Sequence, residues 1–252
     1  MAVDHEEYFG NDELKIYRGE DFVVSKHIVI HQPTLGEICD FNEEQYYSML
    51  YKIVSTPQSM KGQLWKIGVD YTTITPYKLF LSLYKTFDKN NTSIIFGELD
   101  FSKFKLMKSN NNELLLFQNI GDDQVVIDEY TYGVIIDYLC KSHFIERDLK
   151  NPLNNTTKMI FIEDALEELN RAPEKQYHST LKNLISAMIN SEGFKYNHSQ
   201  VWDMKINAFM DSVKRIQVIK NADKLLQSAY SGFGVDISKL DKNELNWLRE
   251  LN

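Results

Sequence analysis

The chain has 252 residues, 43% of them hydrophobic and 25% charged, a composition typical of a folded globular protein and not of a disordered or fibrous one. Its net charge of −8 lies in residues 1–50, where eleven acidic residues outnumber three basic ones, and the rest of the chain is neutral. Nucleic-acid binding needs a clustered cationic surface, and the chain has only five arginines, so this distribution argues against DNA or RNA as the main partner.

The cysteines and the apolar patterning favour a reducing compartment. Cys39 and Cys140 lie far apart and in no metal-binding spacing, so we expect two buried thiols and neither a disulfide nor a zinc site. The first residues lack the basic and apolar segments of a signal peptide, and no stretch approaches the roughly 18 apolar residues of a membrane helix. We therefore expect a cytoplasmic protein that contacts no membrane.

The first part of the chain is predicted to combine a small antiparallel sheet with helices. The strands are short β-branched or aromatic segments at 14–17, 22–25 and 27–31. Capping signals predict four helices, which start after Thr34, Asn42, Thr56 and Thr75. Glu37 completes a capping box with Thr34. The last two helices have proline at their first position and are predicted to end near Gly68 and Phe87.

The middle of the chain is predicted to form hairpins. Its strand-like segments are 93–96, 104–107, 114–117 and 125–127, and polar turns rich in Asn, Asp and Gly separate several of them. Asp128 then caps a predicted helix whose apolar stripe includes Tyr132 and Leu139.

A polar segment at 146–157 is the predicted linker between two domains. Residues 1–145 would form an N-terminal α+β domain, and residues 158–252 a C-terminal helical domain. The helices expected there cover 159–170, 178–190 and 204–230, followed by a short one that Asp241 caps and that holds Trp247 and Leu248. The predicted fold class is α+β and predominantly helical, with a small N-terminal antiparallel sheet, central hairpins and a C-terminal helical bundle.

Neither of two candidate metal sites has suitable spacing. His27 and His31 would share one face of a strand but lie about 13 Å apart, too far to hold one ion. The acidic residues Asp122, Asp123 and Asp128 lack the order of an EF-hand loop and fit a hairpin turn instead. We therefore predict no metal site.

One candidate for acid-base chemistry is His143, which has Glu146 and Asp148 nearby in the sequence. Surface helix ends commonly carry such residues, and the chain has no hydrolase, P-loop or dinucleotide-binding motif. We therefore predict that the protein is not an enzyme and uses no cofactor. The alternative, an enzyme with an unrecognised site, would require a deep polar pocket.

The second half of the chain has a surplus of apolar and aromatic residues. In the structural interpretation, Trp202 is a core residue. The polar face of the long helix is then an ordinary solvated surface. The functional alternative is a helical groove that receives an amphipathic partner helix. The flexible thioethers of Met188, Met204 and Met210 suit such a groove, because they repack around varied surfaces.

Two segments resemble a known family. Residues 193–209 contain an aromatic residue, a short capped turn, Trp202, Met204 and a helix start, and residues 28–38 contain a strand, Pro33 and a Leu-Gly-Glu-Ile helix start. Both patterns are similar to tail assembly chaperones of tailed bacteriophages. Together with residues 209–216, they make the chain resemble acidic proteins from phages and prophages of low-GC Gram-positive bacteria.

This resemblance implies a non-catalytic function in the cytoplasm of a bacterial host. Tail assembly chaperones are thought to coat the hydrophobic tape measure protein and keep it soluble while tail tube subunits polymerise around it. The implied partners are the tape measure protein and, as a second candidate, the tail tube protein, with self-association in many copies. We expect the groove between the helices at 178–190 and 204–230. The candidate partner-binding residues are Met188, Tyr196, Trp202, Met204, Phe209 and Met210.

The predicted strands of residues 93–127 depart from the mostly helical pattern expected of that family. They leave open a second function, a virion structural protein such as a head-tail connector or a baseplate or tail component. Such a protein would use its hairpins to pair with neighbouring subunits.

Overall fold

The computed structural model describes residues 13–109, 111–171, 177–231 and 240–251. These residues are mostly helical and contain two small antiparallel sheets, which confirms the predicted α+β class. In chain order the elements are α1 (Glu13–Arg18), β1 (Phe22–Ser25), β2 (Ile28–Ile30), α2 (Leu35–Phe41), α3 (Glu43–Ile53), α4 (Lys61–Lys66), α5 (Pro76–Leu83), α6 (Lys89–Phe96), β3 (Lys105–Lys108), β4 (Leu114–Ile120), β5 (Asp123–Ile127), α7 (Glu129–His143), α8 (Asn155–Arg171), α9 (Thr180–Ile189), α10 (Ile206–Tyr230) and α11 (Lys242–Leu245).

The first sheet is the hairpin β1–β2, in which Phe22 pairs with Ile30, and the sequence predicts both strands. The further strand predicted at 14–17 is wrong, because these residues form helix α1. A short segment with alternating apolar side chains fits one helical turn as well as a strand. Here the helix buries Ile16, and the Ile16 carbonyl accepts a hydrogen bond from Gln32 Nε2 at 2.9 Å.

Side-chain caps set the starts of α2, α3 and α5 as predicted. Thr34 and Glu37 form the complete capping box of α2, each side chain accepting from the backbone N–H of the other residue. Asn42 ends α2 with a positive φ of 94° and caps α3 by accepting from Gln45 N. Thr75 caps α5, whose first residue is a proline. These local signals divide the first half of the chain into short helices.

Two predicted elements differ from the structure. Thr56 caps a separate turn by accepting from Ser59 N at 3.0 Å, and α4 begins only after that turn. The strand predicted at 93–96 is wrong, because these residues are the last turn of α6, which Asp88 caps by accepting from Asn90 N. A run of three apolar residues is too short for its periodicity to distinguish helix from strand.

The second sheet has the order β3-β4-β5 and is antiparallel throughout. Leu116 in the central strand pairs with Leu106 on one side and Ile127 on the other. The Tyr77 hydroxyl of α5 lies 3.0 Å from the carbonyl oxygen of Leu114 and 2.9 Å from that of Ile127, so it joins α5 to the sheet. The three hairpin strands predicted between 104 and 127 are therefore confirmed.

The predicted helices of the second half are present. Asp128 caps α7 by accepting from Thr131 N at 2.8 Å. Helices α8, α9 and α10 cover the predicted segments within a few residues. Helix α11 ends at Leu245, so Trp247 and Leu248 follow it and are not part of it, contrary to the prediction.

The main hydrophobic core contains side chains from both halves of the chain, including α2, α3 and α7 together with α9 and α10. A second, smaller cluster is formed where α8 packs on α4, and its buried members are Leu64, Tyr71, Leu79 and Ile162. Helices on both sides of the predicted linker thus pack against each other. The division into two domains at 146–157 stays a prediction.

Candidate functional site

The two segments that carry the family resemblance meet in the structure. Two backbone hydrogen bonds of 3.0 Å, one in each direction, join residues 33–35 to residues 204–206. Gly36 follows directly, and a Cβ atom there would lie 3.1 Å from the Trp202 carbonyl oxygen. The absence of a side chain at Gly36 thus lets the Trp202 segment lie close against α2.

This junction forms one end of an apolar groove between α2 and α9, which we call the α2–α9 groove. Its volume is about 570 Å³. The largely apolar side chains that line it are Leu35, Cys39, Tyr177, Leu181, Ile185, Ile189 and Trp202. Leu181, Ile185 and Ile189 are spaced by four residues and lie along one face of α9 over about 12 Å. Leu181 and Ile185 are each 5% exposed and belong to the main core, so the apolar side chains that remain accessible in the groove are Cys39, Tyr177, Ile189 and Trp202.

At the other end of the groove, the start of α9 is fixed to the start of α3. Glu43 Oε1 accepts a hydrogen bond from Leu181 N at 2.8 Å, and Ser179 caps α9 by accepting from Lys182 N at 2.9 Å. Burial, followed by the nearby Glu43 carboxylate, raises the pKa of the Tyr177 hydroxyl to about 12, so this hydroxyl stays protonated at neutral pH. The carboxylate of Glu43 thus satisfies an N–H group that the helix itself leaves without a partner.

The Trp202 end of the groove is set by a short turn. Asn197 Oδ1 accepts from the backbone N–H groups of Ser199 and Gln200, and the Gln200 side chain accepts in return from Asn197 N. The His198 ring then meets Trp202 edge-on, with 6.0 Å between ring centroids. This capped turn, singled out in the sequence, holds the indole against the groove.

The structure separates the six predicted partner-binding residues, which are Met188, Tyr196, Trp202, Met204, Phe209 and Met210. Met188, Met204 and Phe209 are 5%, 7% and 0% exposed and belong to the main core. Trp202 and Met210 are partly buried, and Tyr196 is 46% exposed. Among the six, only Trp202 lines the α2–α9 groove. Partner binding by these residues stays a prediction.

The α2–α9 groove differs from the one predicted between the helices at 178–190 and 204–230, which stays a prediction. The apolar stripe of α9 is visible in the sequence, but α2 lies about 145 residues earlier in the chain. No local pattern links two segments so far apart, so sequence reasoning missed Leu35 and Cys39 as lining residues.

His143 is a buried core residue. Its Nδ1 donates to Leu139 O at 2.8 Å, which leaves Nε2 to accept from the Tyr46 hydroxyl at 2.5 Å. Burial lowers the pKa of His143 to about 4, so the imidazole is neutral at physiological pH. Among the described contacts, none joins it to Glu146 or Asp148, and the suggested acid-base combination does not form.

Three of the residues considered for a metal site, His27, His31 and Asp123, form separate side-chain contacts. Asp123 Oδ2 lies 2.7 Å from His27 Nε2 and 2.5 Å from Lys26 Nζ, while His31 Nδ1 lies 2.8 Å from Asp21 Oδ1. Within the described ranges, no three His, Cys, Asp or Glu side chains are grouped so that they could hold a metal ion.

The two cysteines lie in different surroundings. Cys140 is partly buried, and burial raises the pKa of its thiol to about 11. Cys39 is exposed and lines the α2–α9 groove, so the expectation of two buried thiols is wrong for Cys39. A helix presents residues on all sides, and residue 39 of α2 lies on the side that faces the open groove.

Comparison with known proteins relates the second half of the chain to phage proteins. Residues 173–252 match the family model of the YomV second domain, a Bacillus protein family of phage and prophage type. The matched part, about a third of the chain, includes α9, Trp202 and α10, and it supports a phage origin. No match was found among curated proteins or solved structures. None of the helices in the described ranges is both long and apolar enough to span a membrane.

Proposed function

We propose that the protein is a phage tail assembly chaperone, which binds the hydrophobic tape measure protein and keeps it soluble while the tail tube assembles. The observation that carries the proposal is the α2–α9 groove, whose α9 wall lies in the part similar to a phage protein family. A long amphipathic helix exposes apolar surface that aggregates unless it is covered. A helical groove covers such a helix by receiving its apolar face.

The size of the groove supports binding by many copies. In one copy the groove extends for about 12 Å along α9, enough for about two turns of a partner helix. A tape measure helix many times longer would be covered only by a row of copies. The proposed assembly is therefore a set of identical subunits along one partner, in the bacterial cytoplasm and without cofactor or nucleic acid.

The charge of the chain suits this role. The net charge of −8 would keep the copies on a coated partner from associating with other coated complexes, because like-charged particles repel. The apolar groove would carry the binding, and the acidic surface would maintain solubility. The tail tube protein is the second proposed partner, since it replaces the chaperone as the tube grows.

Co-expression with the tape measure protein of the same phage tests the proposal, with Cys39→Trp as the blocking variant. Cys39 is exposed in the groove, so a large indole there fills the groove without removing a core side chain. Cys39→Ser is the matched control, because it changes the same position but leaves the groove open. We expect the wild type and Cys39→Ser to keep the tape measure protein soluble and to co-purify with it.

Cys39→Trp should lose both effects while retaining the circular dichroism spectrum of the wild type. If the wild-type protein neither solubilises nor co-purifies with the tape measure protein, the proposed function is wrong. If Cys39→Trp works as well as Cys39→Ser, the chaperone function stands but does not use this groove.

One observation favours the alternative of a virion structural protein. All four residues of β3 are exposed, with Leu106 and Met107 at 47% and 46%, and the strand lies at the edge of its sheet. An exposed edge strand can pair with a strand of a neighbouring subunit. Mass spectrometry of purified phage particles separates the two functions. A chaperone should be missing from particles, whereas a connector or baseplate protein should be present at a fixed stoichiometry.

A further inference from the structure

The α2–α9 groove is acidic at one end. Glu43 and Glu44 line it there, together with Tyr177, while Lys182 is the cation at the same rim. Neither glutamate has a cationic partner within 4 Å among the residues that the structure describes. At the Trp202 end the lining polar side chains are His198 and Asn190. The groove thus combines an apolar lining with an excess of negative charge at the start of α9.

Both carboxylates retain capacity to bind a cation. Glu43 accepts from Leu181 N, but an ionised carboxylate has about four acceptor positions. Glu44 is exposed, and no hydrogen bond engages its side chain within the described ranges. Next to an apolar wall, a charge pair is less screened by water than on an open surface.

Tyr177 lines the same end, and Tyr47 and Tyr51 lie on the following turns of α3, outside the groove lining. Tyr47 and Tyr51 stack with 5.9 Å between ring centroids, and Tyr51 is 56% exposed. Burial, followed by the nearby Tyr51, Glu43 and Tyr177, raises the pKa of the Tyr47 hydroxyl, so these groups lie within electrostatic reach of one another. Ring faces attract cations and also pack against the long aliphatic stems of lysine and arginine. The acidic end is therefore suited to a basic side chain more than to a small metal ion.

We propose that the groove selects a cationic amphipathic helix, in which apolar residues lie on Cys39, Ile189 and Trp202 and a lysine or arginine reaches Glu43 and Glu44. This inference rests on the proposed function and names the chemistry of the partner segment. A partner helix with an acidic residue at this end would place like charges together and bind more weakly. The charge excess thus gives the groove a preferred orientation for its occupant, which an apolar lining alone would not.

Three synthetic helices test the proposal by fluorescence anisotropy with the full-length protein. The first is an 18-residue amphipathic peptide of Leu, Ala and Gln with two lysines at one end of its apolar face. The second has glutamates in place of these lysines. The third has the composition of the first, but its leucines are distributed around the helix. Protection of Cys39 from iodoacetamide locates binding in the groove, because Cys39 lines it.

Glu44→Lys is the variant, and Asp164→Lys is the matched control. Both replace an exposed helical acid by lysine, but residue 164 lies on α8, outside the groove lining. At low salt we expect the lysine peptide to bind Glu44→Lys about five-fold more weakly than wild type, from the loss of attraction and the added repulsion of one partly exposed pair. The glutamate peptide should bind Glu44→Lys more tightly, and Asp164→Lys should behave as wild type.

High salt should reduce the difference between the lysine and glutamate peptides, since the effect is electrostatic. Equal binding of these two peptides, or equal effects of the two protein variants, overturns the inference while leaving the chaperone function intact. If no peptide binds but the tape measure protein still co-purifies, the inference is also wrong. Failure of the tape measure protein to co-purify removes the proposed function itself.

Discussion

Among the helix pairs that join the first half of the chain to the second, α4–α8 and α2–α9 differ in how closely they pack. At the α4–α8 contact, Gly62 has no side chain, and a Cβ atom there would lie 2.8 Å from Leu169 Cδ1 and 3.2 Å from Ala165 Cβ. Ile162 is fully buried at this contact. The two helices therefore pack directly against each other, and the space between them is filled.

The second pair, α2 and α9, is held in place through neighbouring segments instead. Glu43 binds the first turn of α9, and the Trp202 segment lies against the start of α2 at Gly36. Between these two attachments the helices leave the α2–α9 groove open. A glycine at the α4–α8 contact allows the two helices to pack directly against each other. In contrast, neighbouring segments hold α2 and α9 in place without filling the space between them.

As the pH decreases, the core around His143 should lose stability at a higher pH than the α4–α8 contact. The pKa of His143 in the folded protein is about 4, below the ordinary value of 6.5, so the unfolded chain binds more protons between these values. The free energy of unfolding should therefore fall as the pH decreases from 6.5 to 4, by about 3 kcal/mol in total. Denaturant titrations at pH 7 and pH 4 measure this loss.

The α4–α8 contact has a different pH range. The hydrogen bond from Lys158, followed by those from Thr72, lowers the pKa of Asp70 below its ordinary value of 3.8, so this stabilisation is lost only as the pH falls below 3.8. Hydrogen exchange at pH 4.5 should therefore increase in α7, which contains His143, and in α3, which contains its partner Tyr46, more than in α8. His143→Gln is the control, and an unchanged pH dependence in this variant would contradict the assignment to His143.

Substitution of Gly62 should destabilise the contact between α4 and α8. Gly62→Val places two methyl groups where Ala165 and Leu169 now lie, and we expect a loss of about 2 kcal/mol in the free energy of unfolding from overpacking. Gln63→Val is the control, because residue 63 is exposed on the same helix, and it should cost about 0.5 kcal/mol from helix propensity. Equal losses in the two variants would show that the contact tolerates a larger residue.

Substitution of Glu43 should loosen one attachment of the groove. Glu43→Gln replaces the charged acceptor of Leu181 N by a neutral one, at a cost of about 1 kcal/mol. The change should appear as faster hydrogen exchange in the first turn of α9. Glu44→Gln, which removes no described hydrogen bond, should leave this exchange unchanged. Similar exchange in both variants would mean that Glu43 does not hold α9.

Thiol labelling gives the smallest perturbation and reports directly on the open groove. Cys39 is exposed, while burial raises the pKa of Cys140 to about 11. Because the thiolate is the reactive form, Cys39 should react with iodoacetamide at pH 8 about ten-fold faster than Cys140 or more. Cys39→Ser should retain only the slow reaction. A fast reaction in that variant would indicate that the region around Cys140 opens readily.

The sequence predicted the parts of the fold that depend on neighbouring residues. The caps at Thr34, Asn42, Thr75 and Asp128 act within three residues, and all four helices start as predicted. The errors at 14–17 and 93–96 have one cause, since three or four apolar residues satisfy a helix or a strand equally well. Whether such a segment pairs with a strand depends on residues elsewhere in the chain.

The candidate site depends on contacts between distant residues, so only part of it was predictable. The turn at 197–200 and Trp202 were recognised from their local pattern. Met188, Met204 and Phe209 have the composition of a binding surface, but they are buried, because a stripe of apolar residues looks the same whether another helix covers it or not. The α2 wall of the groove could not be inferred without knowing which helix lies beside α9.

The backbone bridge between residues 33–35 and 204–206 also bears on synthesis of the protein. At roughly 5–20 residues per second, a ribosome needs about 7–30 s to proceed from the end of α2 to the end of α9. The N-terminal helices therefore leave the ribosome well before the segment that completes the groove. A partner that needs both walls would bind only after most of the chain has been made.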